Sequence, residues 1–297
     1  MLSLRRYDLL QSRLERFTRA LPGVTSGDPR AIHRARVACR RLRELLPVLE
    51  LEADKIRTVN RRLKKLTRLL GGVREIDVLT QLLAELQGAR LAPLRALRRV
   101  GDEVRKAREE AMSGFSHKSI TEAFHRANRK LERIAADLEK LEDRGSRGRG
   151  WRWAIDARVA RRASALKATI TEAGSMYVPE RLHQVRIALK KLRYGVELSA
   201  EAGGLRESAD IRLLKRGQDI LGRLRDRQVL IDRVRRVQAS LVPPDMSAWR
   251  ELDALLLSLE HSCRRIHARY LQNQGRLLAL CDRLGARGSA SAARRAV

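Results

Sequence analysis

The sequence predicts an all-α fold: two four-helix-type bundles related by a pseudo-twofold axis, facing one another across a basic central cleft. Three observations lead there. Leu, Ala, Arg and Glu dominate while only 7 of 297 residues are Pro, a bias toward helix over strand. Apolar residues return at three- and four-residue intervals in segment after segment, the period of an amphipathic helix. Two separate stretches are each written twice at nearly one displacement, the mark of an internal repeat.

The elements follow in order. Leu9, Leu10, Leu14, Phe17 and Leu21 fall at helical spacing and predict a first helix from Leu4 to Leu21, ended by Pro22-Gly23. Asp28-Pro29 supplies an N-cap and a proline for the first helical position. The helix it opens is expected to reach Glu52, with Pro47 as a kink or an early stop. A third helix buries Val59, Leu63, Leu66, Leu70 and Val73, and breaks at Gly71-Gly72 before continuing toward Leu86. Two glycines cost roughly 2 kcal/mol inside a helix. Further helices run from Pro93 to Met112 and from Ser119 to Leu141. Gly and Arg alternate through 144–150, the expected linker. Beyond it come helices from Trp151 to Ala173, from about Pro179, and from Ser247 to Leu284. The chain thus reads as a single domain, 1–284, made of two repeats, 4–143 and 151–284. The tail 285–297 is expected to be disordered.

The repeat is clearest in Ile32-His33-Arg34-Ala35-Arg36-Val37-Ala38-Cys39-Arg40-Arg41-Leu42-Arg43, rewritten as Leu182-His183-Gln184-Val185-Arg186-Ile187-Ala188-Leu189-Lys190-Lys191-Leu192-Arg193. At about 100° per residue, His33, Arg36, Arg40 and Arg43 share a face opposite Ala35, Ala38 and Leu42. In the second copy His183, Arg186, Lys190 and Arg193 oppose Val185, Ala188 and Leu192. The second repeated stretch is Leu70-Gly71-Gly72-Val73-Arg74-Glu75-Ile76-Asp77, mirrored from Leu221-Gly222 through Arg225-Asp226-Arg227-Gln228. Basic residues precede each: Arg61, Lys64, Lys65 and Arg68, then Arg212, Lys215 and Arg216, with Asp219 in the place of Arg68.

The charge balance says what these stripes are for. Lys and Arg number 64 against 35 Asp and Glu, a formal charge of +29. Such self-repulsion destabilises the compact state unless an anion relieves it. Nucleic acid, an anionic membrane surface and inorganic polyphosphate are the partners that could do so. Aromatic residues make up only 3%, against binding of single strands by base stacking. No stretch approaches the roughly 20 apolar residues of a membrane span. Cys39, Cys263 and Cys281 form an odd, unspaced set, expected as reduced thiols of a cytoplasmic protein. No Walker-type loop, magnesium-binding carboxylate cluster or nucleophile–base pair is visible, so no enzymatic activity is expected and no cofactor is called for.

His-x-x-Arg-x-x-x-Arg-Arg-Leu-Arg, the following Leu-Gly-x-x-Arg-Glu-x-Asp-Val, and a second-half repeat ending Lys-Lys-Leu-Arg-Tyr resemble the CHAD domain family over about Leu4 to Leu284. The resemblance implies an all-helical, duplicated, basic domain that binds inorganic polyphosphate, with association to polyphosphate granules. A phosphate chain bears charge on every unit and offers no bases to read, so spaced cations match it. The expected ligands are His33, Arg36, Arg40, Arg43, Arg61, Lys64, Lys65, Arg68 and Arg74 in the first half. In the second they are His183, Arg186, Lys190, Arg193, Arg212, Lys215, Arg216 and Arg225. Phosphate or sulfate would occupy the same site, and nucleic acid is the secondary partner. His33 and His183 either donate to phosphate or orient the helix, since neither has a His or Cys one turn away to complete a metal site. Arg74 and Arg225 either face phosphate or pair with an acid to tie two helices.

Overall fold

The structure, a computed structural model, describes residues 5–113, 117–143, 150–204, 208–242 and 245–296, with backbone alone for 73, 74, 112, 117 and 287–296. The described residues contain helices and no strand. In order they are α1 (Arg6–Thr18), α2 (Leu21–Thr25), α3 (Pro29–Leu45), a 3-10 turn (Leu46–Val48), α4 (Ala53–Leu69), α5 (Gly71–Gly88) and α6 (Leu94–Ser113). There follow α7 (His117–Asp143), α8 (Gly150–Ala173), α9 (Pro179–Ala202), α10 (Ala209–Ala239) and α11 (Met246–Ala296).

Local chemistry sets the boundaries. Asp28 caps α3, its carboxylate accepting from the backbone N–H of Arg30 at 3.0 Å and of Ala31 at 2.9 Å. The helix stops at Leu45 rather than at Glu52, because Pro47 inside it would lose an i→i−4 bond and clash with the preceding turn. Pro22 does not end the first helix as expected. It sits in the first turn of the separate α2, where a missing N–H costs nothing. Of the linker 144–150, Gly150 is the first residue of α8 and 144–149 lie outside the described residues. The stretch from Gly285, expected to be disordered, continues α11 as backbone helix to Ala296. Its alanines and arginines extend a helix already nucleated upstream.

The predicted break at Gly71-Gly72 separates α4 from α5. Its second-half counterpart, with Gly222 followed by Arg223, stays helical inside α10. One glycine is absorbed where two are not. At 31 residues, α10 spans about 46 Å, and with α11 it reaches beyond α8 and α9.

That reach shapes the core, which does not divide at the linker. The larger apolar cluster joins α1, α3, α4 and α7 to α8, α9, the first half of α10 and Ile266–Leu284 of α11. The smaller one packs α5 and α6 against Val229–Val237 of α10 and Leu252–Cys263 of α11. First-half helices therefore bury second-half ones in both clusters. Part-buried ion pairs cross the junction: the buried Glu44 of α3 meets Arg158 at 2.9 Å and Arg162 at 2.5 Å, both on α8. Arg13 of α1 meets Glu201 of α9 at 2.8 Å.

Candidate anion-binding cleft

The two copies of the basic motif meet. Helices α3 and α9 pack on each other, with their alanine and leucine faces buried and their cations turned into a cleft of about 620 Å³. His33, Arg36 and Arg40 line it from α3, and His183, Arg186, Lys190 and Arg193 from α9. Arg223 and Arg225 enter from α10, and Gly71 and Glu75 from α5.

The α4–α5 break builds one wall. Thr67 is among the last residues of α4, whose carbonyls lack an intrahelical partner. Arg36 Nη1 donates to that carbonyl at 2.8 Å, which fixes the guanidinium at the cleft. A Cβ on Gly71 would lie 3.0 Å from the same nitrogen, so glycine keeps room for it. No side chain caps α5, and this N-terminus, with its positive dipole end, also borders the cleft. Opposite, α10 is unbroken and offers Arg186 no such carbonyl. Arg186 Nε is buried without a partner, as is His183 Nδ1.

The crowding of positive charge is strongest at Lys190. Burial, then the nearby charges of Arg40, Arg186, Arg36 and Arg193, push its ammonium down to about 7. Burial followed by Arg225, Arg186 and Lys190 lowers His183. Arg186 is lowered by burial, and Asp226 opposes the shift. The α3 charges thus reach an α9 lysine, and both motif copies line one cleft.

Other expected residues stand elsewhere. Arg193 borders the cleft but is only 8% exposed. Its Nε donates to Gln218 Oε1 at 2.8 Å, its Nη1 pairs with Glu197, and its guanidinium lies over the Tyr194 ring. Glu197 also binds Arg41 at 3.3 Å. Arg43 is half-buried beside Cys39 and does not line the cleft. Arg61, Lys64, Lys65 and Arg68 are exposed outside it. The buried face of α4 packs on α3 and α7, so its basic stripe turns away from α9. Arg212, Lys215 and Arg216 line a different groove, between α10 and α11. The side chain of Arg74 lies outside the described residues.

The cleft also holds residues that the sequence reading did not assign to it: Arg223, Gln218, and the carboxylates Glu75, Asp219 and Asp226. A signal for Arg223 existed, since it lies seven residues from Arg216 and four from Asp219, on one face of α10. Among the described residues no cluster of three His, Cys, Asp or Glu could hold a metal ion, and no helix is long and apolar enough to cross a membrane.

The architecture has known counterparts. The chain superposes on PptA from Streptomyces chartreusis with a TM-score of 0.65 at 17% identity, over 90% of this chain and 97% of that one. It superposes on the CHAD domain from the plant Ricinus communis with a TM-score of 0.55 at 20% identity, over 97% and 94% of the two chains. No curated protein matches. The family model of the CHAD domain matches residues 8–235, most of the sequence and all of the cleft, and the chain belongs to that family.

Proposed function

We propose that the protein binds inorganic polyphosphate in the cleft between α3 and α9, without turning it over, and in the cell associates with polyphosphate granules in the cytoplasm. The observation that carries this reading is the convergence of Arg36 and Arg40 with Arg186 and Lys190 around buried polar atoms that lack partners. Each charge-assisted hydrogen bond to a phosphate oxygen is worth about 1.5–3 kcal/mol. A bare phosphate chain is slim enough to reach part-buried side chains, and phosphate or sulfate would compete for them. The carboxylates lining the cleft leave it net positive while limiting where a chain can run.

The alternative is non-specific nucleic-acid binding, which the charge of +29 also favours. Salt dependence does not separate the two, since both lose affinity as counterion release weakens. Competition at fixed ionic strength does. Long-chain polyphosphate is expected to resist displacement by duplex DNA or RNA at equal phosphate concentration. Displacement by either would refute the assignment. Release of phosphate, or turnover of a nucleotide, in a sensitive assay would refute the non-enzymatic part.

A further inference from the structure

We propose that the groove between α10 and α11 is a second anion-binding site, one that takes the portion of a long phosphate chain leaving the central cleft. The inference rests on the polyphosphate reading of that cleft and adds a preference for chain length.

The groove encloses about 860 Å³. Helix α10 lines it with Arg212, Lys215, Arg216, Arg223 and Arg227, and α11 with Arg265 and Arg269. The carboxylate in that lining is Asp219. From Arg212 to Arg227 the cations on α10 mark out a track of about 22 Å at the helical rise. Ile220, Ile266 and Ala268 contribute apolar surface beneath them. Arg227 is positioned by the Ser262 hydroxyl at 2.8 Å and the Arg223 carbonyl at 3.2 Å, with Glu85 and Asp226 nearby. Arg265 and Arg269 are exposed across the groove.

Continuity with the cleft comes from Arg223 and Asp219, which line both. A chain passing Arg223 would leave one set of cations for the next. The cleft also adjoins a groove of about 710 Å³ through His33, and the contrast is informative. There Arg108 is paired with Asp77 at 3.2 Å and Arg34 with Asp28 at 3.6 Å, so the local field is largely neutralised. The α10–α11 groove is lined by seven cations, with Asp219 as the carboxylate among them.

The test compares tripolyphosphate, short enough for the cleft alone, with long-chain polyphosphate, on the wild-type chain, an Arg265→Ala/Arg269→Ala variant and an Arg40→Ala variant. The double variant is expected to bind tripolyphosphate as wild type does and long chains about tenfold more weakly. Its salt slope for long chains should be shallower by about 1.4, the single-strand counterion value for two contacts. Arg40→Ala should weaken both ligands. Unchanged long-chain affinity in the double variant, or equal losses for both lengths, would overturn the groove alone. Wild-type protein that binds neither ligand would overturn the cleft reading and the groove with it.

Discussion

If the cleft binds polyphosphate as proposed, the depressed Lys190 should make the affinity depend on pH near neutrality. In the free protein the ammonium has been pushed down to about 7 by burial and by Arg40, Arg186, Arg36 and Arg193. The same cleft is lined from α10 and α5 by Gln218, Asp219, Arg223, Arg225, Asp226 and Glu75, and the net shift of the lysine stays downward. A bound phosphate chain would supply the missing counter-charge and return the lysine toward its ordinary value near 10.4. Above pH 7 binding must then take up a proton, and affinity falls as pH rises. With these two limits the linkage gives about a tenfold loss between pH 6 and 8, and about another tenfold by pH 9. Isothermal titration in buffers of different ionisation enthalpy, at constant ionic strength, reads both the affinity and the proton. Long chains keep their terminal groups, which titrate in the same range, a negligible fraction of the ligand. His183, also lowered in the free protein, should be raised by a bound phosphate in the same way and add to the fall at the acid end of that range. Lys190→Arg should bind independently of pH from 7 to 9, and Lys190→Met should do so at reduced affinity. A flat profile in the wild type, or an unchanged slope in Lys190→Arg, would refute the reasoning.

Three further outcomes follow from the geometry. Gly71→Ala places a methyl group against Arg36 Nη1, the far end of a flexible side chain, so thermal stability should be nearly unchanged while polyphosphate affinity drops several-fold. Glu44→Gln leaves Arg158 and Arg162 side by side without their counter-charge. Urea unfolding should report a loss of about 1–3 kcal/mol, below the scale for a wholly buried pair because both arginines reach solvent, and no loss would mean the pairs are ornamental. Cys39, Cys263 and Cys281 are buried, with the Cys39 thiol pushed up to about 12 by desolvation. A thiol reagent at pH 8 should leave the native protein unlabelled and label all three sites in denaturant.

What the sequence made legible was the face each helix presents; what it hid was the neighbour that face meets. The His33 and His183 motifs were readable because one short segment carries both the buried alanines and the cations opposite them. The same wheel drawn for α4 gives an equally good basic stripe at Arg61, Lys64, Lys65 and Arg68. Periodicity alone could not say that α4 buries its other side on α3 and α7 and so faces solvent. Nor could it show that α5 and α6 cover the far ends of α10 and α11, since that pairing depends on how far two long helices overshoot their partners. The glycine break lies between these cases. Gly71-Gly72 announces an interruption by local energetics, and Gly222-Arg223 announces its absence. The consequence is tertiary: the interruption frees the Thr67 carbonyl that holds Arg36, whereas Arg186 on the unbroken side keeps a buried Nε with no partner. Two copies of one motif therefore differ in local geometry as well as in sequence. Arg36 is held on protein while Arg186 keeps its buried, unpartnered Nε, and arginine in place of the second glycine also puts Arg223 in the lining of both the cleft and the outer groove.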